Sequence, residues 1–150
     1  QHHALAVQVF DSWAGILAPA DHERVVLPRL QRIMARLAPL GVPRILFSKG
    51  GAVHLDALRR VGADALSLDW TADLAAVARQ APRVVLQGNL DPVVLFAPPQ
   101  EVRRRAADVC RSGDRAAGHV FNLGHGILPE TPIASVEALV EVVHAHRPEA

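Results

Sequence analysis

Hydrophobic residues follow two rhythms along this chain, and the rhythms alternate. Short apolar runs bounded by turn residues fall at positions 5–10, 44–47, 65–68, 83–86 and 119–121, and each reads as a strand. Between them the spacing changes to that of a helix. Over residues 21–37, Val25, Val26, Leu30, Ile33, Met34 and Leu37 share one helical face, with Pro28 expected to kink or delay the first turn. Residues 52–61, 71–80, 101–110 and 135–146 repeat that pattern. Gly62 and Gly113 are natural helix stops, and Thr71 and Ser135 are the expected N-caps. Strand and helix in strict alternation predict a parallel α/β sheet.

Two architectures accommodate such a sheet at this length of 150 residues. A doubly wound open sheet would be complete with five strands, whereas a (β/α)8 TIM barrel needs about 250 residues and would be represented here by about five of its units. The polar residues favour the barrel. At the C-terminal ends of the strands stand Asp11 and Ser12, Ser48 and Lys49, Asp69, Gln87 with Asn89, and Asn122 followed by His125. Every strand delivers polar groups to the same end, as a barrel mouth requires, whereas an open sheet needs them only at its switch point.

Composition narrows the function classes. Half of the residues are hydrophobic and 21% are charged, a globular balance. The net charge of +1, with four Phe, two Trp and no Tyr, offers neither the basic field nor the stacking platforms of a nucleic-acid binder. The apolar runs are too short to cross a bilayer, so no membrane role is expected. The single Cys110 allows no internal disulfide and no cysteine-cluster zinc site, and a reducing cytoplasm is the expected setting. Residue 1 is Gln, so the given sequence is expected to begin inside a longer protein.

Five segments carry the candidate chemistry: Phe10-Asp11-Ser12-Trp13-Ala14-Gly15, Phe47-Ser48-Lys49-Gly50-Gly51, Leu68-Asp69-Trp70, Gln87-Gly88-Asn89-Leu90-Asp91-Pro92, and Asn122-Leu123-Gly124-His125-Gly126. In this order and spacing they resemble the uroporphyrinogen decarboxylase family. The last two, followed by Pro129-Glu130-Thr131-Pro132, are the most specific. The resemblance covers nearly the whole chain and implies the C-terminal part of that family's single barrel domain. It also implies a porphyrinogen substrate of haem biosynthesis, no cofactor, and a homodimer when full length. The family's Arg-Gln-Ala-Gly-Arg segment, catalytic aspartate and active-site tyrosine would lie upstream, and none has a counterpart here. No catalytic residue is therefore expected in this chain, which would be inactive alone.

The resemblance implies that Ser12 and His125 bind substrate carboxylates. Hydroxyl and imidazole groups suit that task, and glycines on both sides let the backbone aim His125 into the mouth. Each has a plainer reading, a turn hydroxyl for Ser12 and a loop imidazole bound to a carbonyl for His125. Asp69, Lys49, Gln87, Asn89 and Asn122 are weaker candidates. Asp69 could accept from pyrrole N–H groups, but a strand-end Asp more often caps the next helix or pairs with an Arg. Lys49, the chain's lone lysine, could steer carboxylates or form a structural pair; the Gly-x4-Gly-Lys phosphate motif is absent. Gln87 and Asn89 read as hydrogen-bonders at the mouth. Asp91-Pro92 reads as a cap followed by a first helical residue, Arg103 to Arg105 as a solvated face, and Cys110 as a core residue. His2, His3, His54, His144 and His146 show no metal-like spacing. A corrinoid-linked or zinc-dependent methyltransferase of similar barrel form, and a noncatalytic α/β binding module, are the competing functions.

Overall fold

A computed structural model describes residues 4–148; Gln1, His2 and His3 of the sequence reading lie outside the described residues. Five strands, β1 (Val7–Asp11), β2 (Arg44–Ser48), β3 (Ala65–Leu68), β4 (Val85–Gln87) and β5 (His119–Val120), form one sheet. All pairs are parallel, and the spatial order is β1-β2-β3-β4-β5. That order resolves the two architectures. A doubly wound sheet reverses direction at a switch point, whereas here each strand lies beside its sequence neighbour and every crossover advances the same way. Crossovers of one hand then put all helices on one side, as in a barrel wall.

The helices are α1 (Pro19–Asp21), α2 (Leu27–Leu37), α3 (Leu55–Leu58), α4 (Leu74–Gln80), α5 (Pro99–Gly113) and α6 (Ile133–Ala145). Leu27, Leu30 and Met34 of α2, Leu55 and Leu58 of α3, and Leu74 and Val77 of α4 bury against Leu46, Leu66, Leu68 and Leu86 of the strands. A second cluster joins Leu90 and Leu95 to Val102 and Ala106 of α5 and Leu139 of α6.

Several local expectations change. The helix anticipated over 21–37 begins as α1, passes through a π turn at His22–Val26, and becomes α2 only at Leu27. Pro28, at the start of α2, has no N–H to continue a regular ladder, so the preceding turn widens. The helix expected over 52–61 is a 3-10 turn, Gly51–His54, and then the single turn of α3. Thr71 does not cap α4; Asp73 does, accepting from Ala76 N at 2.9 Å. Ser135 is buried in the first turn of α6 and Pro132 precedes that helix. Asp91 caps the 3-10 turn Pro92–Phe96 through Val93 N at 2.9 Å, with Pro92 at its first position. Arg103, Arg104 and Arg105 are all exposed, opposite buried Val102, Ala106 and Cys110. Arg103 pairs with Glu141 at 2.5 Å and Arg104 with Glu101 at 2.6 Å, so part of this run ties neighbouring surface positions together.

Candidate functional site

Strand parity decides what faces the inside of the sheet. Successive side chains alternate faces, and the register aligns Gln8 with Ile45, Phe10 with Phe47, Phe47 with Ser67, and Ser67 with Gln87. These residues, with Val120, face away from the helices. Across that inner face Gln87 Nε2 donates to Gln8 Oε1 and to Ser67 Oγ, both at 3.0 Å. The mouth candidate Gln87, the last residue of β4, is thus buried, 4% exposed, in an inner polar layer where it ties three strands together. Gln8, which sequence reasoning missed, is the partner; its polar side chain between Val7 and Val9 was the available signal.

Above this layer opens a cleft of about 410 Å³, bordered by Phe10, Ser12, Phe47, Ser67, Asn122 and His125. Its size is that of a small-molecule site. Ser12 reaches it because Asp11 shapes the turn: Asp11 Oδ1 accepts from Trp13 N at 3.2 Å and Ala14 N at 2.9 Å. The local capping role considered for Ser12 therefore belongs to Asp11, and the Ser12 hydroxyl has no hydrogen-bond partner among the described residues. His125 is exposed, with its ring edge-on to Phe47 at 6.0 Å and to Trp70 at 6.4 Å between centroids. No carbonyl among the described residues holds that ring. Its position follows from Gly124: a Cβ there would lie 2.5 Å from Trp70 N, so only glycine lets the β5 loop pass this close to the β3 loop. Asn122 Oδ1 accepts from Leu123 N at 2.9 Å, and its NH2 group has no partner among the described residues.

The other candidates are placed differently. Asp69 is 2% exposed and does not border the cleft. Its Oδ1 accepts from Thr71 N at 2.8 Å and Thr71 Oγ1 at 2.5 Å, and its Oδ2 accepts from Gly50 N, so one carboxylate pins the loops after β2 and β3 together. Spent on these donors, it is a structural clamp and not a ligand group of the cleft. Asn89 is likewise removed from the mouth, at 7% exposure, with Nδ2 donating to Asp69 O at 2.9 Å and Ala72 O at 2.8 Å. Both corrections share a cause, since buried loop backbone needs donors and acceptors and short polar side chains at strand ends supply them. Gly88, between Gln87 and Asn89, has φ 127° and its Cα lies so near β3 that a Cβ would meet Leu68 O at 2.6 Å. Lys49 is exposed and lies over the Trp70 ring, 5.9 Å from its centroid.

Behind Asp11, on the helix side, a second polar group is buried. The rings of His22 and His54 stack at 4.0 Å, and neither nitrogen of His22 has a partner; nor do Asp11 Oδ2 and Ser48 Oγ. Burial, and then the neighbouring His54, hold His22 below the usual histidine range, while Asp11 pulls the other way. Among the described residues no three His, Cys, Asp or Glu side chains are grouped as a metal site would need.

Comparison with known proteins then decides the family. The family model described as "Uroporphyrinogen decarboxylase (URO-D)" matches residues 1–146. The chain belongs to the uroporphyrinogen decarboxylase family. Among similar curated members, the uroporphyrinogen decarboxylase of Nocardia farcinica is 49% identical over 145 residues, and that of Thermobifida fusca 50% over 142. These matches cover 93% and 94% of this chain but only 41% and 39% of the relatives, so the chain spans about two-fifths of their length. Among solved structures, a methyltransferase from Methanosarcina mazei superposes with a TM-score of 0.78 at 21% identity, over 93% of this chain and 41% of that one. At that identity the likeness is one of fold alone, and it agrees with a five-unit stretch of barrel wall. No helix among the described residues is long and apolar enough to cross a membrane.

Proposed function

We propose that this chain supplies one side of the substrate cleft of a cofactor-independent decarboxylase that converts the four acetate side chains of uroporphyrinogen to methyl groups, giving coproporphyrinogen. The observation that carries the reading is membership of the family together with the convergence of Ser12, Asn122 and His125 on one cleft. An acetate on a pyrrole loses CO2 only when the electron pair of the breaking C–C bond has somewhere to go. Protonation of the pyrrole ring makes a cation that receives it; CO2 departs, the exocyclic methylene carbon takes a proton, and loss of the ring proton restores the pyrrole. Each turn consumes one proton and releases one CO2. The protein must hold the carboxylates in place, supply the acid and stabilise the cation.

In this reading Ser12 donates to one substrate carboxylate and His125 donates to or pairs with another, while the polar layer of Gln8, Ser67 and Gln87 underlies the ring. The acid comes from the remainder of a single barrel domain, of which this chain is the C-terminal part, acting in the cytoplasm as a homodimer. The chain alone then does not turn over. Decarboxylation of uroporphyrinogen by the purified chain at the rate of the Nocardia farcinica relative would overturn that statement. The site assignment is tested by grafting the chain into that relative in place of the matching segment: Ser12→Ala and His125→Ala should each lower kcat/KM by about tenfold or more, the cost of one hydrogen bond to a charged group. Unchanged kinetics with intact melting would remove both residues from the site.

A further inference from the structure

Two carboxylates stand at the C-terminal ends of the strands that flank β2, Asp11 on β1 and Asp69 just after β3, and neither pairs with Lys49. Asp11 Oδ1 is bound by Trp13 N and Ala14 N, and Asp69 by Gly50 N, Thr71 N and Thr71 Oγ1. Lys49 is near both in the chain's own hydrogen bonding: its backbone N donates to Asp11 O at 2.9 Å, and the next residue, Gly50, donates to Asp69. Its ammonium group has no carboxylate partner among the described residues and lies over Trp70 instead. Lys49 directly follows the last residue of β2, and the indole it lies over adjoins His125, which borders the cleft. The same indole meets His125 edge-on. One aromatic ring therefore borders the two side chains of the mouth that can carry positive charge. An ammonium on an exposed indole is weakly held and readily exchanged for a charge-assisted pair with a carboxylate.

We propose that Lys49, seated on Trp70, is an additional anchoring point for a substrate carboxylate, and that Trp70 is the positioning residue that keeps Lys49 and His125 together at the mouth. The proposal deepens the decarboxylase reading and rests on it. A macrocycle with carboxylates round its rim can meet Ser12 and Lys49 through different arms, so the mouth selects for number and spacing of anionic groups as well as for the ring.

The test is fluorescence titration of uroporphyrin, an octacarboxylate, into the Nocardia farcinica relative carrying this chain in place of its matching segment, as parent, and into its variants at a series of salt concentrations, with melting curves alongside. Lys49→Met should weaken binding about fivefold at low salt, the scale of an exposed ion pair, and make the salt dependence shallower. Lys49→Arg should stay within about twofold of the parent. Trp70→Leu should lose affinity and flatten the salt dependence in the same sense as Lys49→Met, with Trp70→Phe retaining part of both, because an aromatic face remains. Uroporphyrin binding that Lys49→Met leaves unchanged in affinity and salt dependence overturns the inference alone. Absence of uroporphyrin binding by the folded parent graft overturns the decarboxylase reading and the inference with it.

Discussion

The two faces of the sheet are built from alternate residues of the same five strands, yet they behave as different materials. On the helix side, Leu46, Leu66, Leu68 and Leu86 are at most 2% exposed and sealed by α2, α3 and α4. On the other side Phe10 is 68% exposed, and the inner row runs through Gln8, Ser67 and Gln87, hydrogen-bonded across the strands. Stability resides in the outer face and recognition in the inner one. At an exposed inner position such as Phe10 a side chain can be exchanged without opening the core, which is how a barrel wall varies its chemistry on a constant frame.

The sharpest way to break that contrast is to cut each face with one substitution and compare urea denaturation. Leu86→Ala, at a fully buried outer position, should cost about 2–5 kcal/mol, the usual range for truncating a packed leucine. A loss below about 1 kcal/mol would mean that the outer face does not carry the core. Next in size is Asp69→Ala, which leaves Gly50 N and Thr71 N without their acceptor; a loss of about 1–3 kcal/mol is expected, read in the same unfolding curves. Asp69→Asn should recover part of it, since an amide oxygen still accepts.

Acidity probes the buried polar group behind the mouth. Burial holds both His22 and His119 below the ordinary histidine value of about 6.5, so the unfolded chain takes up protons that the folded chain resists. Their contribution is therefore complete above about pH 6.5 and is lost as the pH falls through that value toward their folded ones. Denaturation midpoints should drop across this window, and His22→Phe should make the drop smaller while leaving the protein at least as stable at neutral pH, because it removes two unpartnered buried nitrogens. An identical pH profile for His22→Phe would show that this histidine does not titrate in the window. The smallest effect belongs to the inner face: Phe10→Ser should change stability by no more than about 0.5 kcal/mol, as for an ordinary exposed position.

Legibility in the sequence followed the same division. The alternation of strand and helix patterns was plain because each outer leucine has a helix to meet, and period marks burial directly. Strand ends and caps were blurred: Thr71 looked like a cap by type and position, but Asp73 holds the helix while Thr71 is occupied by Asp69. The convergence of polar groups on the strand ends was legible, but which of them face the cleft was not. Asp69 and Ser12 each stand at the C-terminal end of a strand; one is drawn under the loop by three donors and the other is left free by its neighbour Asp11. Trp70 passed unremarked as a site residue because nothing in a linear pattern says that the loops after β2, β3 and β5 meet at one indole.

The sequence by itself determined the class of fold, the family motifs and the neutral, cysteine-poor character of the chain, since these depend on residue type, spacing and count. Only the tertiary structure decided the strand order that excludes a doubly wound sheet, the commitment of Asp69 and Asn89 to backbone, and the meeting of Lys49, Trp70 and His125. Those depend on which donors and acceptors the folded loops leave unsatisfied, a balance set between residues far apart in the chain and settled only when they are brought together.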